Sequence, residues 1–217
     1  MSQPIEEIRL KATSLGDLLL FAADQRPGHD AVVLPHRRAT YGDLRTRAMQ
    51  KARALQALGI GPGDHVGLLL PTGLDFVETL FAIALLGGVA VPINARYQPP
   101  ELAYVVENAD LKALFTTDKI SEAVDFTERL NQAFPDLAGQ DARSLSLDGA
   151  PLLRNIVIFG GSEKDAMLSE DQFHGLAEQG DLDALHLARL QVRLGSTALI
   201  LYTSGTTANP KGCMISH

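Results

Sequence analysis

Apolar residues follow two alternating patterns along this chain, short continuous runs and steps of three or four residues. Residues 65–70 and 155–159 are continuous apolar runs, as strands covered on both faces are. Residues 75–86 and 100–108 carry apolar side chains at helical spacing, and Gly87-Gly88 separates the first of them from another strand at 89–93. This repeated alternation predicts an α/β fold with a mainly parallel sheet flanked by helices on both faces.

The stretch before this alternation predicts a hairpin that leads into a helix. Residues 31–34 read as a strand, and His36-Arg37-Arg38 as a solvated hairpin tip. Thr40 is placed to cap the helix, Asp43 favours its N-terminus and Gly59 ends it. The helix is expected to bury a face made of Leu44, Ala48, Ala52, Leu55 and Leu58.

Further along, each element has a local signal. We expect residues 112–116 to form a strand, 121–133 a helix, and the polar stretch 135–151 a surface loop. Ser169 and Gln172 have the spacing of a capping box. The 75–86 helix is predicted to turn a set of five residues toward the core: Phe76, Val77, Leu80, Phe81 and Ala84.

The candidate chemistry lies near the end of the sequence, where an apolar run at 197–202 leads into a polar loop. Thr203, Ser204, Thr206 and Thr207 supply hydroxyls, Gly205 and Gly212 permit close backbone approach, and Lys211 supplies a positive charge. Right-handed crossovers place the carboxyl ends of parallel strands on one edge, where open α/β sheets bind ligands. The loop 203–212 therefore predicts a phosphate site there, with Arg96 and Tyr97 expected along the same edge.

Two well-known sequence motifs, the P-loop and the serine-hydrolase elbow, do not match the residues of this loop. In G-x-x-x-x-G-K-[ST] counted from Gly205, the second glycine position is Pro210 and the residue after Lys211 is Gly212. In G-x-S-x-G centred on Ser204, the first glycine position is Tyr202. Neither a P-loop nor a serine-hydrolase elbow is therefore predicted.

Composition limits the function classes. With 46% hydrophobic and 21% charged residues the chain is expected to be globular, and a net charge of −7 disfavours nucleic acid as a partner. One cysteine, Cys213, excludes an internal disulfide; it is interpreted as a small buried residue, and His217 as an exposed end. No metal site is predicted from the spacing of the histidines. The start lacks a signal-peptide pattern, and the longest apolar stretch is shorter than the roughly 18 residues of a membrane helix, so a cytoplasmic protein without a transmembrane segment is expected.

Residues 202–212 resemble the signature loop of the adenylate-forming superfamily, with one departure at Ala208, where the family usually carries glycine. Thr40 to Leu44 is similar to the family's early T-Y-x-E/D-L block, and residues 59–66 to its G-x-x-x-G-D-x-V turn. Residues 86–104 look most like the acyl-CoA synthetase branch. The resemblance covers about 15–120 and 195–217.

The resemblance implies ATP-dependent activation of a carboxylic acid, followed by transfer of the acyl group to coenzyme A. It also implies that Mg²⁺ is a cofactor and that the reaction belongs to fatty acid metabolism. It implies that residues 1–217 are part of the N-terminal domain of the adenylate-forming fold, inactive alone, and that the catalytic lysine lies in a C-terminal domain absent here. It also implies that the β- and γ-phosphates of ATP are bound by Thr203, Ser204, Gly205, Thr206, Thr207, Lys211 and Gly212. A peptide-synthetase adenylation domain, a luciferase-like enzyme and a non-enzymatic nucleotide-binding module stay open as alternatives, as does a homodimer.

Overall fold

The structure, a computed structural model, describes residues 14–118, 124–160, 163–203 and 209–217. Its helices are α1 (Leu15–Gln25), α2 (Tyr41–Ala57), α3 (Leu74–Leu86), α4 (Pro99–Asn108), α5 (Phe126–Ala133), α6 (Glu170–Gly175) and α7 (Leu182–Gln191). Its strands are β1 (Asp30–Val33), β2 (Arg38–Thr40), β3 (His65–Leu68), β4 (Val89–Pro92), β5 (Leu111–Thr117), β6 (Asn155–Phe159), β7 (Leu168–Ser169), β8 (Thr197–Thr203) and β9 (Lys211–Ser216). Short 3₁₀ turns lie at Pro135–Leu137 and Leu176–Gln179.

The main sheet has the order β7-β6-β5-β3-β4-β8-β9 in the part of the chain that is described. Its neighbouring strands run parallel, except that β9 runs antiparallel to β8. The strands β1 and β2 form a separate antiparallel hairpin, as predicted. The prediction of a mainly parallel α/β sheet is confirmed.

Helices cover the sheet on both sides and produce two apolar clusters. One cluster joins β3, β5 and β6 to α1, α2 and α3, with Leu19, Leu55 and Ile83 among its buried residues. The other lies under α4 and α5 and includes Val105 and Leu130. Each central strand is therefore buried on both faces, which explains why the sequences of these strands are continuous apolar runs instead of alternating ones.

Local capping signals position α2 as the sequence predicts. The Thr40 Oγ1 accepts a hydrogen bond from the Asp43 backbone N–H at 3.1 Å, and the Asp43 carboxylate accepts one from the Thr40 N–H at 3.0 Å. The bond from the Thr40 N–H, together with one that the Thr40 hydroxyl donates to the same carboxylate at 2.8 Å, holds the pKa of Asp43 below its ordinary value. Past the end of α2, Gly59 adopts a φ of +78°, a conformation that glycine reaches without steric cost.

The buried face of α3 differs from the predicted one. Ala84 is buried as predicted. Phe76, Val77, Leu80 and Phe81 pack against the core but are only half-buried, whereas Glu78 and Thr79 are buried. α3 contacts the sheet and also α1, α2 and α7, so it is enclosed on several sides and its apolar spacing does not define a single inward face. Burial of Glu78 requires a counter-charge, which α2 supplies through Lys51, at 2.9 Å between Nζ and Oε2.

Two further predictions need correction. α5 begins at Phe126, because Asp125 caps it by accepting the N–H groups of Thr127 and Glu128; Val124 lies outside the helix, and 119–123 lie outside the described residues. The 135–151 stretch is not a simple surface loop. It buries Leu137, Leu145, Leu147 and Ala150 in the cluster below α4 and α5.

In the ranges that the structure describes, no helix combines the length and the apolar character needed to cross a bilayer.

Candidate functional site

The carboxyl ends of the parallel strands share one edge of the sheet. β4 ends at Pro92, and β8, which pairs with β4 through Ala90 and Leu199, ends at Thr203. Thr203 thus reaches the edge where open α/β sheets bind ligands. This position agrees with the place that the sequence predicts for a phosphate site.

The chain returns from this edge as a strand. Lys211 pairs with Thr203, and Gly212 pairs with Tyr202, across the antiparallel β8–β9 ladder. The prediction of a loop extending through Gly212 is wrong in this respect, since Lys211 and Gly212 begin β9. Pairing with β8 satisfies backbone groups that a loop would leave to water, which favours the strand.

Four of the predicted phosphate-binding residues, Ser204, Gly205, Thr206 and Thr207, lie outside the described residues, as does Ala208. Their roles stay predictions.

Thr203 and Lys211 are exposed side by side at the end of the hairpin. Lys211 forms no ion pair with any residue that the structure describes. In a chain with a net charge of −7, this uncompensated ammonium is a local positive charge beside a hydroxyl donor. Such a pair can bind an anion.

Tyr202 fixes the end of β8 to α4. Its hydroxyl donates a hydrogen bond to the Asn108 Oδ1 at 2.7 Å, and its ring lies over Gly212, where an added Cβ would come within 3.2 Å of the ring carbon Cζ. Burial raises the pKa of Tyr202 to about 12, with smaller contributions from Tyr104 and Asp110. The phenol therefore remains a neutral donor at physiological pH. No sequence signal links Tyr202 to Asn108, because the two residues are 94 positions apart.

Arg96 and Tyr97, predicted to line the same edge, have different environments. Arg96 is exposed, whereas Tyr97 is turned into the cluster below α4 and α5. The Arg129 guanidinium donates to the carbonyls of Ala95 and Tyr97 at 2.8 and 3.0 Å and so holds this segment. Burial, and then the charge of Glu101, raises the pKa of Tyr97, whose hydroxyl has no hydrogen-bond partner among the described residues.

The end of β9 corrects two interpretations. Cys213 is exposed, not buried, because β9 is exposed along its whole length. His217 is not simply an exposed end. Its Nδ1 accepts a hydrogen bond from the Leu15 N–H at 3.2 Å, and burial holds the pKa of His217 below its usual value. β9 is thereby tied to the start of α1.

The described ranges contain no group of three or more His, Cys, Asp or Glu side chains arranged to hold a metal ion.

Comparison with known proteins identifies relatives of this chain. The profile of the AMP-binding enzyme family matches residues 20–217, including the stretch between 120 and 195 that the resemblance of the motifs does not cover. The acyl-CoA ligase sidI of Beauveria bassiana is 31% identical over 206 residues, which are 94% of this chain and 33% of the relative. One of the polypeptides of mycosubtilin synthase from Bacillus subtilis is 28% identical over 195 residues, 90% of this chain and 6% of that polypeptide.

A solved structure shares both the fold and a recognisable sequence. The anthranilate CoA ligase AuaEII, solved in complex with anthranoyl-AMP, superposes with a TM-score of 0.75 at 25% identity, over 95% of this chain and 35% of that one. The chain thus spans about a third of the length of the acyl-CoA ligases that it matches. The match over residues 20–217 shows that this chain belongs to the AMP-binding enzyme family.

Proposed function

We propose that the protein carrying this chain activates a carboxylic acid with ATP and transfers the acyl group to coenzyme A. In the first step a carboxylate oxygen bonds to the α-phosphorus, the bond from that phosphorus to the bridging oxygen breaks, and pyrophosphate leaves. In the second step the thiol sulfur bonds to the acyl carbon, AMP leaves, and the thiol proton passes to solvent.

One observation carries the proposal for this chain: Thr203 and Lys211 are adjacent and exposed at the carboxyl edge of the sheet. Negative charge grows on the pyrophosphate oxygens as they leave. A hydroxyl donor and an ammonium already in place stabilise this charge without reorganisation. We propose that Ser204, Gly205, Thr206 and Thr207 bind the same phosphates, and that Gly212 lets the backbone come close to them.

The relatives support the reaction class. AuaEII was solved with an acyl adenylate, anthranoyl-AMP, and sidI is an acyl-CoA ligase. Mg²⁺, as the partner of ATP, takes oxygen ligands, so the phosphates and the Thr203 hydroxyl at this edge fit it. Bound there, it would neutralise charge on the phosphates. The place of this reaction in fatty acid metabolism follows from the resemblance alone.

The test is carboxylate-dependent exchange of labelled pyrophosphate into ATP, measured on the complete natural protein. Replacing Thr206 and Thr207 together with alanine removes two donors from the leaving group and should slow exchange about 100-fold or more. Lys211→Ala should also slow it. Arg37→Ala, an exposed charge on the β1–β2 hairpin, is the matched control and should change nothing. Exchange within about a factor of two of the parent in the double variant would refute the assignment.

A second candidate is a peptide-synthetase adenylation domain, which the similarity to mycosubtilin synthase favours. Both candidates share the exchange reaction and differ in the thiol that accepts the acyl group. Chromatographic detection of an acyl-CoA product supports the first, whereas loading of a phosphopantetheinyl carrier protein, with no acyl-CoA formed, supports the second.

A further inference from the structure

A cleft of about 480 Å³ lies between α1, α2 and α7, in a part of the molecule separate from the candidate phosphate site. Its volume is within the range of about 300–1,000 Å³ typical of small-molecule sites. Two long-range contacts hold α7 in place beside the other helices. The Asp181 N–H donates to the Gln56 side chain at 2.8 Å, and Arg189 forms an ion pair with Asp17 of α1.

The middle of the cleft is apolar. Leu20 of α1 and Met49 of α2 are half-buried and pack against the main core, and Leu182 of α7 contributes a side chain that is 45% exposed. An apolar surface of this kind favours the hydrocarbon part of a ligand over water.

Two arginines on α2, eight residues apart, line the cleft. Because a helix rises about 1.5 Å per residue, their backbones are about 12 Å apart along its axis. Arg45 is already neutralised by Asp24 at 2.6 Å. Arg53 differs, since its Nε donates to the backbone carbonyl of Gly180 at 3.1 Å and no described carboxylate lies within ion-pair distance.

Gly180 keeps Arg53 in this position. A Cβ at residue 180 would lie 2.5 Å from the Arg53 carbonyl oxygen, so only glycine allows this close approach of the segment before α7. The contact occupies one of the five N–H donors of the guanidinium. The remaining donors keep the fork geometry that matches a carboxylate.

A second polar group of the cleft also lacks a partner. His186 of α7 lines the cleft, and its Nδ1 is buried with no hydrogen-bond partner among the described residues. Buried polar atoms in folded proteins are normally paired, so an unpaired one beside a cavity is evidence that something else supplies the partner.

We propose that this cleft binds an amphipathic carboxylate, with the carboxylate at Arg53 and the apolar part along Leu20 and Met49. The negative charge of the ligand determines selectivity, because Arg53 is the arginine of the cleft that has no counter-charge among the described residues. The inference does not rest on the proposed adenylation reaction and concerns a different part of the molecule.

Methionine methyl groups report on this site directly. The four methionines of the sequence include Met49 in the cleft, Met214 on β9 beside the candidate phosphate site, and Met167 in the core. The complete protein, labelled with ¹³C at the methionine methyls and assigned by single Met→Leu variants, is titrated with octanoate to about 5 mM, enough to saturate a site of submillimolar dissociation constant. The Met49 signal should move saturably, while Met214 and Met167 should not.

Charge and position are tested by matched variants. Arg53→Gln should weaken octanoate binding about tenfold, whereas Arg143→Gln, an exposed arginine outside the cleft, should leave it unchanged. Octylamine, with the same tail and the opposite charge, should not move Met49. An unmoved Met49 signal, a shift confined to Met214, equal shifts with octylamine, or an unaltered affinity in Arg53→Gln would each overturn the proposal. The unchanged Met167 signal confirms that each variant is folded.

Discussion

Two lysines of this molecule have opposite environments. Lys51 of α2 has a side chain that is 2% exposed, with Nζ 2.9 Å from Glu78, 3.3 Å from Asp75 and 4.3 Å from the ring centroid of Phe159. Lys211, at the start of β9, is exposed and has no ion-pair partner among the described residues. The first charge is compensated inside the protein, and the second is not.

The two environments indicate different roles, stabilisation of the fold for Lys51 and ligand binding for Lys211. A buried ammonium is tolerated only when opposite charges surround it, and the Lys51 cluster also includes Arg47, at 3.0 Å from Glu78. Its charges balance, so no attraction is left for a ligand. An exposed, uncompensated charge contributes little to folding, yet it remains available to an anion. We therefore expect substitutions at the cluster to change stability, and substitutions at Lys211 to change function.

The largest effect is expected from Lys51→Met. The substitution leaves Glu78 buried with only Arg47 as a counter-charge, and removing one partner of a buried pair costs about 3–5 kcal/mol. Urea denaturation measures the change in the free energy of unfolding. Lys211→Met, the matched control, should change it by less than about 0.5 kcal/mol.

The double variant Lys51→Met with Glu78→Leu sharpens the test. Because it removes both buried charges, it should recover part of the lost stability. A single variant Lys51→Met as stable as the parent would show that Glu78 does not need its partner.

Gly212→Ala tests how tightly β9 packs on β8. The new Cβ would lie 2.9 Å from Ile200 Cγ2 and 3.2 Å from Tyr202 Cζ, so a stiff side chain must move, at a cost of about 1–2 kcal/mol. Gly195→Ala is the control, since nothing lies within 4 Å of its Cβ position. Calorimetry should show a lower melting temperature for the first variant alone; equal melting temperatures would contradict the packing of Tyr202 on Gly212.

Tyr202→Phe removes the hydrogen bond to Asn108 without changing the ring. The expected loss of stability is about 1 kcal/mol, measured by thermal unfolding. Tyr97→Phe, whose hydroxyl has no hydrogen-bond partner among the described residues, should cost less.

The same tyrosine gives a spectroscopic check. With a folded pKa of about 12, above the ordinary value of 10, the phenol stabilises the fold below pH 10 and this contribution is lost as the pH rises toward 12. Ultraviolet titration should show a tyrosine that ionises near pH 12 and disappears in Tyr202→Phe, while the raised pKa of Tyr97 is kept in that variant.

The smallest effect concerns His217. Its folded pKa is below 6.5, so its contribution to stability is fully present above about pH 6.5 and falls as the pH drops toward the folded pKa, where the unfolded state binds the proton first. Unfolding free energies at pH 7.5 and 5.5 should differ more in the parent than in His217→Asn. His36→Asn, at the exposed hairpin tip, should behave as the parent does.

Local sequence patterns were enough for most of the central elements and for the edge of the candidate site, but they did not predict α1, α7 or β9. The Thr40 and Asp43 cap, the Gly87 helix end at a φ of +72° and the apolar strands of the centre each depend on neighbouring residues, so they could be predicted directly. The exposure of Thr203 at a strand's carboxyl end follows from the same alternation. Lys51 had a visible signal as well, because it lies three residues after Ala48 on the buried face of α2.

Long-range packing decided the rest. Three contacts join residues that are far apart in the sequence. Tyr202 and Asn108 are 94 positions apart, Lys51 and Glu78 are 27 apart, and Arg53 and Gly180 are 127 apart. Periodicity shows which side of an element is buried, but it carries no information about which other element covers that side. The antiparallel return of β9 and the three-helix cleft therefore emerge only when the tertiary structure brings these surfaces together.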